Sequence, residues 1–275
     1  MRFPGHVTLT ADAPFLRRGW SAGGVTFVQV MALLAPLGAT VFIGGNAVWW
    51  VLATAMLATL FWELCFAFIR KRALSWYGLT TALIVTIMLP ESVPLWQVGL
   101  GVSFGVVLGE LIFGGRGFGF LNAAAVALGF LVFSFPGFQL VGDANIVAIA
   151  SVPGALLLLV SGLISGRVIV ALLVVTLLFS VINGEGFVPL ATFGTVFFVM
   201  IFLICDPVSS AATNGGRWLY GALVGALIAL FDTVSGPGIS ATALVFAALL
   251  GAVFAPLLDH IILYVKTRRR RARNV

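Results

Sequence analysis

Residues 202–221 read FLICDPVSSAATNGGRWLYG and place an Asp-Pro pair, three hydroxyl side chains, an asparagine and two glycines between two apolar runs. Pro207 interrupts the first run, and Asp206 can cap the amides that follow it. Gly215 and Gly216 loosen the chain before the second run. In lipid an unpaired backbone amide or carbonyl is costly, so such a segment lies against protein, beside a wet cavity or at the surface. The pattern suits a well-capped loop and a ligand or cofactor site equally well.

The composition places this segment in a membrane protein. Of the 275 residues, 61% are hydrophobic and only 9% are charged. One soluble core could not bury this much apolar surface, so we predict an all-α integral membrane protein. The formal net charge of +6 owes much to the C-terminal KTRRRRARNV, which holds six of the fifteen basic residues. A basic tail beside an anionic leaflet explains that charge better than nucleic-acid binding does.

Ten apolar stretches are close to the roughly 17 to 25 residues that a membrane-spanning helix needs. They lie at 24–43, 47–69, 77–90, 94–113, 119–135, 146–163, 167–183, 188–205, 217–232 and 239–264. We therefore predict about ten transmembrane helices in a single membrane domain over 24–264. A cytoplasmic segment, 1–23, precedes this domain, and a basic cytoplasmic tail, 265–275, follows it.

The charges between the spans predict the orientation, because cytoplasmic loops are enriched in Lys and Arg. With the N-terminus in the cytoplasm, the basic tail and these loop residues fall on the cytoplasmic side: Arg17, Arg18, Arg70, Lys71, Arg72, Arg116, Arg167 and Arg217. The opposite loops carry Glu91, Asp143, Glu185 and Asp232. We therefore expect both termini in the cytoplasm.

Two segments suggest an internal repeat. Residues 104–130 and 197–227 each run from an apolar helix through an acidic residue and a polar break with glycine into another apolar helix. Two halves of five spans each would enter the membrane from opposite sides, as inverted repeats do. The predicted orientation puts both breaks on the cytoplasmic side, so these two segments are equivalent only if one of them is re-entrant.

The chain resembles the NqrB/RnfD family of membrane subunits, found in the sodium-translocating NADH:quinone oxidoreductase and in the Rnf complex. The resemblance rests on LPESVPLWQVGLGVSFGVVLGELIFGGRGFGFLNAAAVALGFLVFSFP at 89–136 and on CDPVSSAATNGGRWLYGALVGALIALF at 205–231. Family members typically read IFGG.G.N.FNPA in the first block and TDPVS....N.G...YG in the second. The resemblance implies a ten-helix fold similar to urea transporters, with broken helices. It also implies a membrane complex that moves electrons between flavins and quinone or ferredoxin and couples this to ion translocation.

The chain departs from the family at the covalent flavin. The family's FMN is joined by a phosphodiester to the Thr of a Ser/Thr-Gly-Ala-Thr-like motif just beyond the fifth span, on the outer side. The corresponding region, 135–157, reads FPGFQLVGDANIVAIASVPGALL and contains no Thr. Thr40 closes a Gly-Ala-Thr string but lies in the first span, far from the family's position. We therefore expect no covalent FMN; the candidate ligands are a noncovalent flavin (FMN or riboflavin) and a quinone.

The resemblance also assigns candidate ligand-binding residues. In the first block Gly119 and Ala123 replace the family's Asn and Pro. The alternating glycines of GGRGFG are not a dinucleotide fingerprint, because no strand precedes them. Helix N-terminal amides would favour any anionic part of a ligand. The predicted cofactor-binding residues are Gly114, Gly115, Gly117, Asn122, Asp206, Ser209, Ser210, Thr213 and Asn214.

Glu63 and Glu110 are candidates for an ion path. Both lie within or at the end of apolar spans, where an ionisable group is costly and usually faces a partner, a cavity or an ion path. Arg116 is a candidate structural partner for Glu110. Glu63 has no obvious partner nearby, and Arg70 is two turns away. An ion path and structural pairing both stay open for these glutamates.

Other chemistry is weakly represented. Cys65 and Cys205 lie inside apolar runs and are expected to be buried structural thiols, so no metal site is predicted. Asp259 and His260 are expected at the cytoplasmic interface. Two histidines leave little for general acid–base chemistry, and no hydrolytic or kinase-like motif is visible. We therefore do not expect an autonomous hydrolytic or kinase-like enzyme.

The leading hypothesis is a membrane subunit of an Rnf-like or NADH:quinone-oxidoreductase-like electron-transfer complex in a bacterial-type cytoplasmic membrane. Its partners would be other redox subunits and the bilayer, and no nucleic acid. The alternative is a transporter or channel for a small polar solute or a flavin on the same scaffold, which the missing flavin-linking Thr favours. A third hypothesis is a structural anchor that has lost its cofactors.

Overall fold

The computed structural model describes residues 22–71, 76–135, 137–140, 145–182, 193–235 and 240–273. Within these ranges the chain forms ten α-helices and no strand, which confirms the predicted all-α membrane architecture. The helices are α1 (Ala22–Gly44), α2 (Asn46–Arg70), α3 (Gly78–Met88), α4 (Leu95–Val106), α5 (Ala123–Ser134), α6 (Asn145–Val160), α7 (Gly166–Ile182), α8 (Phe193–Val199), α9 (Asn214–Ser235) and α10 (Ala241–Arg273). Two π-helical segments, π1 (Val107–Leu111) and π2 (Met200–Ile204), continue α4 and α8.

Each of these helices falls on one predicted span and differs from it mainly at the ends. The fifth helix begins at Ala123 rather than at 119, because Asn122 caps it and the residues before it form turns. The last helix continues to Arg273, so most of the predicted tail extends α10 as a helix. Residues 1–21 of the predicted N-terminal segment lie outside the described residues, as do the loop charges Arg17, Arg18, Arg72, Asp143 and Glu185.

Three of the described helices are long and apolar enough to cross a membrane. They are Gly23–Gly44, Asn46–Arg70 and Ala241–Arg268. Five shorter apolar helices accompany them, at Gly78–Met88, Leu95–Leu111, Ala123–Ser134, Asn145–Val160 and Gly166–Ile182. A helix too short to cross the membrane ends within it and leaves irregular backbone there. This is tolerated where neighbouring helices supply partners for the free amides and carbonyls.

Most helix contacts follow a five-helix repeat, although the close contact of α2 with α3 is not matched by α7 with α8 among the described residues. In the first half α1 packs on α3, α2 on α4, α3 on α5 and α4 on α5. In the second half α6 packs on α8, α7 on α9, α8 on α10 and α9 on α10, so each helix corresponds to the one five places later. The contacts of α1 with α6 and of α5 with α10 join the halves. In this pairing α3 corresponds to α8, which π2 continues, so the turn at residues 89–94 corresponds to the turn after π2. The sequence similarity had instead paired the turn after π1 with the turn after π2.

Glycines let the helices of each half approach closely. Gly101, Gly105 and Gly109 recur every four residues along α4 and π1 and face α5. A Cβ at Gly105 would lie 2.5 Å from the carbonyl oxygen of Ala123 and 2.8 Å from the amide nitrogen of Ala127. Both atoms belong to the backbone and cannot move aside easily. In membranes small residues at helix contacts permit such close backbone approach.

We predict that Gly105→Ala destabilises the protein, because its Cβ would force α4 away from α5. Overpacking of this kind costs about 1–3 kcal/mol. The matched control is Gly99→Ala in the same helix, where the nearest atom to a new Cβ is Cγ2 of Thr54 at 3.9 Å. Thermal unfolding of the purified protein in detergent, followed by tryptophan fluorescence, should show a lower midpoint for Gly105→Ala only. Equal midpoints for the two variants would contradict the close packing of α4 on α5.

Candidate functional site

A buried ion pair joins the turn after π1 to the turn after π2. Nη2 of Arg116 lies 3.1 Å from Oδ1 of Asp206, and the two side chains are 9% and 4% exposed. Arg116 is therefore not a solvated loop charge of the kind that the orientation argument counted. Its carboxylate partner is Asp206, whereas the sequence suggested Glu110.

Gln29 and Thr80 complete the contacts of the guanidinium. Arg116 donates from Nη1 to Oγ1 of Thr80 at 2.7 Å and from Nη2 to Oε1 of Gln29. Gln29 in turn donates from Nε2 to Oδ1 of Asp206 at 3.0 Å. Sequence reasoning missed both residues because it searched the spans for ionisable groups only. The amide of Gln29 inside an apolar run was the available signal.

Glycines direct Arg116 into the protein. Gly115 and Gly117 flank it with φ values of +103° and +90°, and Gly114 precedes them with φ +120°. Residues with a Cβ rarely adopt this backbone region, whereas glycine enters it readily. The glycines predicted to bind a cofactor therefore form the turn that carries the arginine.

Asp206 uses its two oxygens for different partners. Oδ1 receives Arg116 and Gln29, whereas Oδ2 accepts hydrogen bonds from the amides of Val208 and Ser209, each at 3.2 Å. The Ser209 hydroxyl adds a contact to Oδ2 at 3.4 Å. The predicted capping role of Asp206 is confirmed, and it is combined with an ion pair that the sequence did not indicate.

Side chains from two other helices satisfy carbonyls of π2. Nδ2 of Asn122 donates to the carbonyl of Phe202 at 3.4 Å, and the Tyr220 hydroxyl donates to that of Ile204 at 3.1 Å. Oδ1 of Asn122 also accepts from the amide of Ala124 at 2.9 Å and so caps α5. A π-helical turn displaces the usual hydrogen bonds, and its free carbonyls need such partners when buried. Asn122 therefore ties the start of α5 to π2.

The ion pair lines a cavity with an empty volume of about 360 Å³, including the part open to solvent. Predicted residues on its wall include Gly115, Gly117 and Asn122. Glu110 is on the same wall and is 7% exposed, and no hydrogen bond joins its carboxylate to another of the described residues. Nε of Arg116 is also buried without a partner in that part of the chain. The cavity wall thus carries one carboxylate that has no hydrogen-bond partner among the described residues.

Glu63 contacts the start of α3. Its Oε1 accepts a hydrogen bond from the amide of Gly78 at 2.6 Å. The residue is 4% exposed, and its Oε2 is buried without a partner among the described residues. Arg70 instead donates to the carbonyl of Ile112 at 3.1 Å. The partner that the sequence did not reveal is therefore a backbone amide at a helix N-terminus, where a carboxylate is favoured.

The remaining predicted residues lie away from the Arg116 cavity. Ser209 and Ser210 line a second cavity, whose wall also includes Asp259. Thr213 donates its hydroxyl to Oδ1 of Asp259 at 2.6 Å, and Asn214 accepts from Nη1 of Arg167 at 2.5 Å. Thr213 and Asn214 thus fix the start of α9 to α10 and to α7.

Asp259 is a further residue whose role the sequence did not show. Its Oδ2 accepts from the amide of Ala212 at 2.6 Å, and its Oδ1 accepts from the amide of Thr213 at 2.9 Å. It therefore caps the segment that leads into α9. Its neighbour His260 is exposed, and the described residues contain no group of three metal-ligating side chains. Cys205 is buried and Cys65 is half-buried, and both are free thiols.

Comparison with known proteins identifies the family. Residues 9–144 and 140–267 match the family described as NQR2, RnfD, RnfE. The chain belongs to this family. The resemblance inferred from residues 89–136 and 205–231 is therefore confirmed.

Several similar proteins share one name, which describes each of them as a subunit of a Na(+)-translocating NADH-quinone reductase. The one from Ectopseudomonas mendocina (strain ymp) is 31% identical over 306 aligned positions, covering 90% of this chain and 72% of the relative. The one from Stutzerimonas stutzeri (strain A1501) is 32% identical with the same coverage. The one from Yersinia pestis is 30% identical, covering 97% of this chain and 73% of the relative.

We predict that Asp206→Asn is strongly destabilising, because it removes the carboxylate that the buried Arg116 guanidinium contacts. Removing one member of a buried ion pair costs about 3–5 kcal/mol. The double variant Asp206→Asn/Arg116→Gln removes both charges and should recover part of the loss. Glu91→Gln, at an exposed carboxylate, is the control and should change little. Thermal unfolding midpoints measure all three, and similar midpoints for Asp206→Asn and Glu91→Gln would refute the ion pair.

Proposed function

We propose that this chain is a membrane subunit of an electron-transfer complex that couples redox chemistry to ion translocation. The family match over residues 9–144 and 140–267 carries this proposal. The name of the relatives, which makes them subunits of a sodium-translocating NADH-quinone reductase, supports it. Relatives named as subunits also support the bilayer and other redox subunits as partners. The buried charges of the described residues suit such a role better than that of a separate hydrolytic enzyme.

Any flavin that the chain binds is held without a covalent bond. The alignment with the Ectopseudomonas relative runs over 306 positions, more than the 275 residues of this chain, so the relative contains residues without a counterpart here. The two family matches meet at 140–144, inside the region 135–157 that contains no Thr. Both observations support the loss of the segment that carries the family's FMN.

The groups that the fold leaves free suit a quinone head group better than a flavin. Four of the predicted polar residues already form hydrogen bonds within the protein: Asp206, Asn122, Thr213 and Asn214. Arg116 lines the cavity, and its guanidinium is a hydrogen-bond donor of the kind that a quinone carbonyl accepts from. A flavin ring needs several donors and acceptors at once, whereas a quinone head group needs donors only for its two carbonyl oxygens. We therefore propose a quinone as the first candidate ligand, with Arg116 orienting its carbonyl oxygen, and a noncovalent flavin as the second.

We assign structural roles around the two cavities to the predicted site residues. In this proposal Asp206 holds Arg116, and the glycines at 114, 115 and 117 shape the turn that carries the arginine. Asn122 fixes the start of α5, and Ser209 and Ser210 line the second cavity. Glu63 and Glu110 belong to the ion path. Their support is burial, at 4% and 7% exposure. In addition, Oε2 of Glu63 and the carboxylate of Glu110 have no hydrogen-bond partner among the described residues. Buried carboxylates of this kind can bind an ion or carry a proton.

The proposed location is a bacterial-type cytoplasmic membrane, with both termini in the cytoplasm. Arg167 and Arg217, together with the basic end of α10, support this orientation. Arg116 no longer contributes to the argument because its charge is paired with Asp206. The proposed boundaries of the membrane domain are residues 24–264.

The mode of ligand binding is tested by the visible spectrum and by extraction of the purified protein. After acid precipitation we expect no flavin in the protein pellet, because residues 135–157 offer no Thr for a phosphodiester. Organic extraction should recover a quinone. Flavin in the pellet would contradict the proposed loss of the anchor, and flavin released into the supernatant would favour the flavin over the quinone. A folded, colourless protein without quinone would favour solute transport.

Membership in a complex is tested by affinity purification from native membranes in a mild detergent. We expect the chain to be accompanied by other membrane subunits and by flavin or iron, measured by absorbance and metal analysis. The reason is that the relatives are named as one subunit of a NADH-quinone reductase. A chain that purifies alone under conditions that preserve other membrane complexes would refute the proposal. The control is a membrane protein of similar size carrying the same tag.

A further inference from the structure

Three oxygen atoms converge on the guanidinium of Arg116. They are the carboxylate Oδ1 of Asp206, the amide Oε1 of Gln29 and the hydroxyl Oγ1 of Thr80. These atoms come from three separate parts of the fold: the turn after π2, α1 and α3. Carboxylate, amide and hydroxyl oxygens are the ligand types that hard metal cations take in proteins. The guanidinium therefore occupies a position with the donor set of a cation site.

The backbone is shaped to deliver a charge to this position. Arg116 is flanked by Gly115 and Gly117, both in the left-handed region, and its side chain is 9% exposed. Its Nε is buried without a partner among the described residues. The oxygens contact only the two terminal nitrogens of the guanidinium. The three oxygens therefore gather around the end of the guanidinium, where its positive charge faces them.

The formal charge of the cavity also favours a cation at the position of the guanidinium. Glu110 and Asp206 both line it, and Arg116 is the positive group on the same wall. Without Arg116 the cavity would hold two carboxylates and no cation. Buried charges of one sign are very costly unless a counter-ion accompanies them. A vacated guanidinium position would therefore attract a free cation.

We propose that Arg116 is a built-in cation whose guanidinium fills, against Asp206, Gln29 and Thr80, a position that would otherwise bind a free alkali cation. A tethered charge cannot exchange with solvent. Asp206 in the wild-type chain therefore holds no exchangeable cation. The proposal rests on the contacts of Arg116 and is independent of the electron-transfer function.

The test is the sodium dependence of thermal unfolding of the full chain in detergent. Sodium chloride is raised from about 5 to about 500 mM while choline chloride keeps the ionic strength constant, so that only specific binding shifts the midpoint. Arg116→Gln should gain a saturable rise on the order of 5 °C, since a bound ion stabilises the folded state. The wild type and Arg116→Lys, which both keep a positive charge, should lack this rise.

The second variant shows where the ion binds. Arg116→Gln/Asp206→Asn removes the proposed carboxylate ligand together with the arginine and should show no sodium-specific rise. A rise in Arg116→Gln that disappears in this double variant supports the proposal. A folded Arg116→Gln that does not respond to sodium overturns it. A wild type whose sodium response equals that of Arg116→Gln also overturns it, because the arginine would then exclude nothing.

A further pair covers the case in which Arg116→Gln does not fold. Arg116→Gln/Glu110→Gln keeps Asp206 as the one carboxylate of the cavity and has the same formal cavity charge as the wild type. The same titration should give a sodium-specific rise in this variant and none after Asp206→Asn is added. Absence of the rise in the folded Arg116→Gln/Glu110→Gln variant overturns the proposal.

Discussion

The buried contact between Arg116 and Asp206 is the interaction on which the arrangement of both polar turns depends. A charged group removed from water is stable only with a partner and with its remaining hydrogen bonds satisfied. Asp206 meets this condition by facing Arg116 and Gln29 with one oxygen and its own turn with the other. Because Arg116 lies in the first five helices and Asp206 in the second five, the same contact joins the two halves of the molecule.

The π-helical segments explain how an apolar chain accommodates this contact. Each precedes one of the two turns, and the carbonyls that π2 leaves free are bound by Asn122 and Tyr220 from other helices. The irregular backbone is thus satisfied by protein, as membrane depth requires. Glycines at 101, 105 and 109 bring α5 close enough for Asn122 to reach π2. The close helix packing and the polar turns therefore support one another.

Membership in the NQR2, RnfD, RnfE family and the departures from its pattern together describe a modified member. Residues 135–157, where the sequence resemblance places the family's covalent flavin, contain no Thr, and Gly119 stands where the resemblance expects Asn. A Cβ at Gly119 would lie 2.9 Å from the carbonyl oxygen of Gly109, so this turn is built for glycine. The chain thus keeps the helical scaffold and the Asp-Pro turn, while its first glycine-rich turn serves to hold an arginine.

The apolar runs along the whole chain were enough to predict ten helices and their approximate ends, and residues 202–221 predicted the capping by Asp206. These are local properties, set by the length of each apolar run and by the residue types that begin and end helices. The site was predicted only in part: Gly115, Gly117, Asn122 and Asp206 share a cavity, whereas Thr213 and Asn214 bind α10 and α7 instead. The partners of Arg116 were decided by the tertiary structure alone, because Asp206 is 90 residues away and Gln29 is 87 residues away along the chain. Only the packing of separate helices brings such side chains together, and no spacing within one helix encodes it.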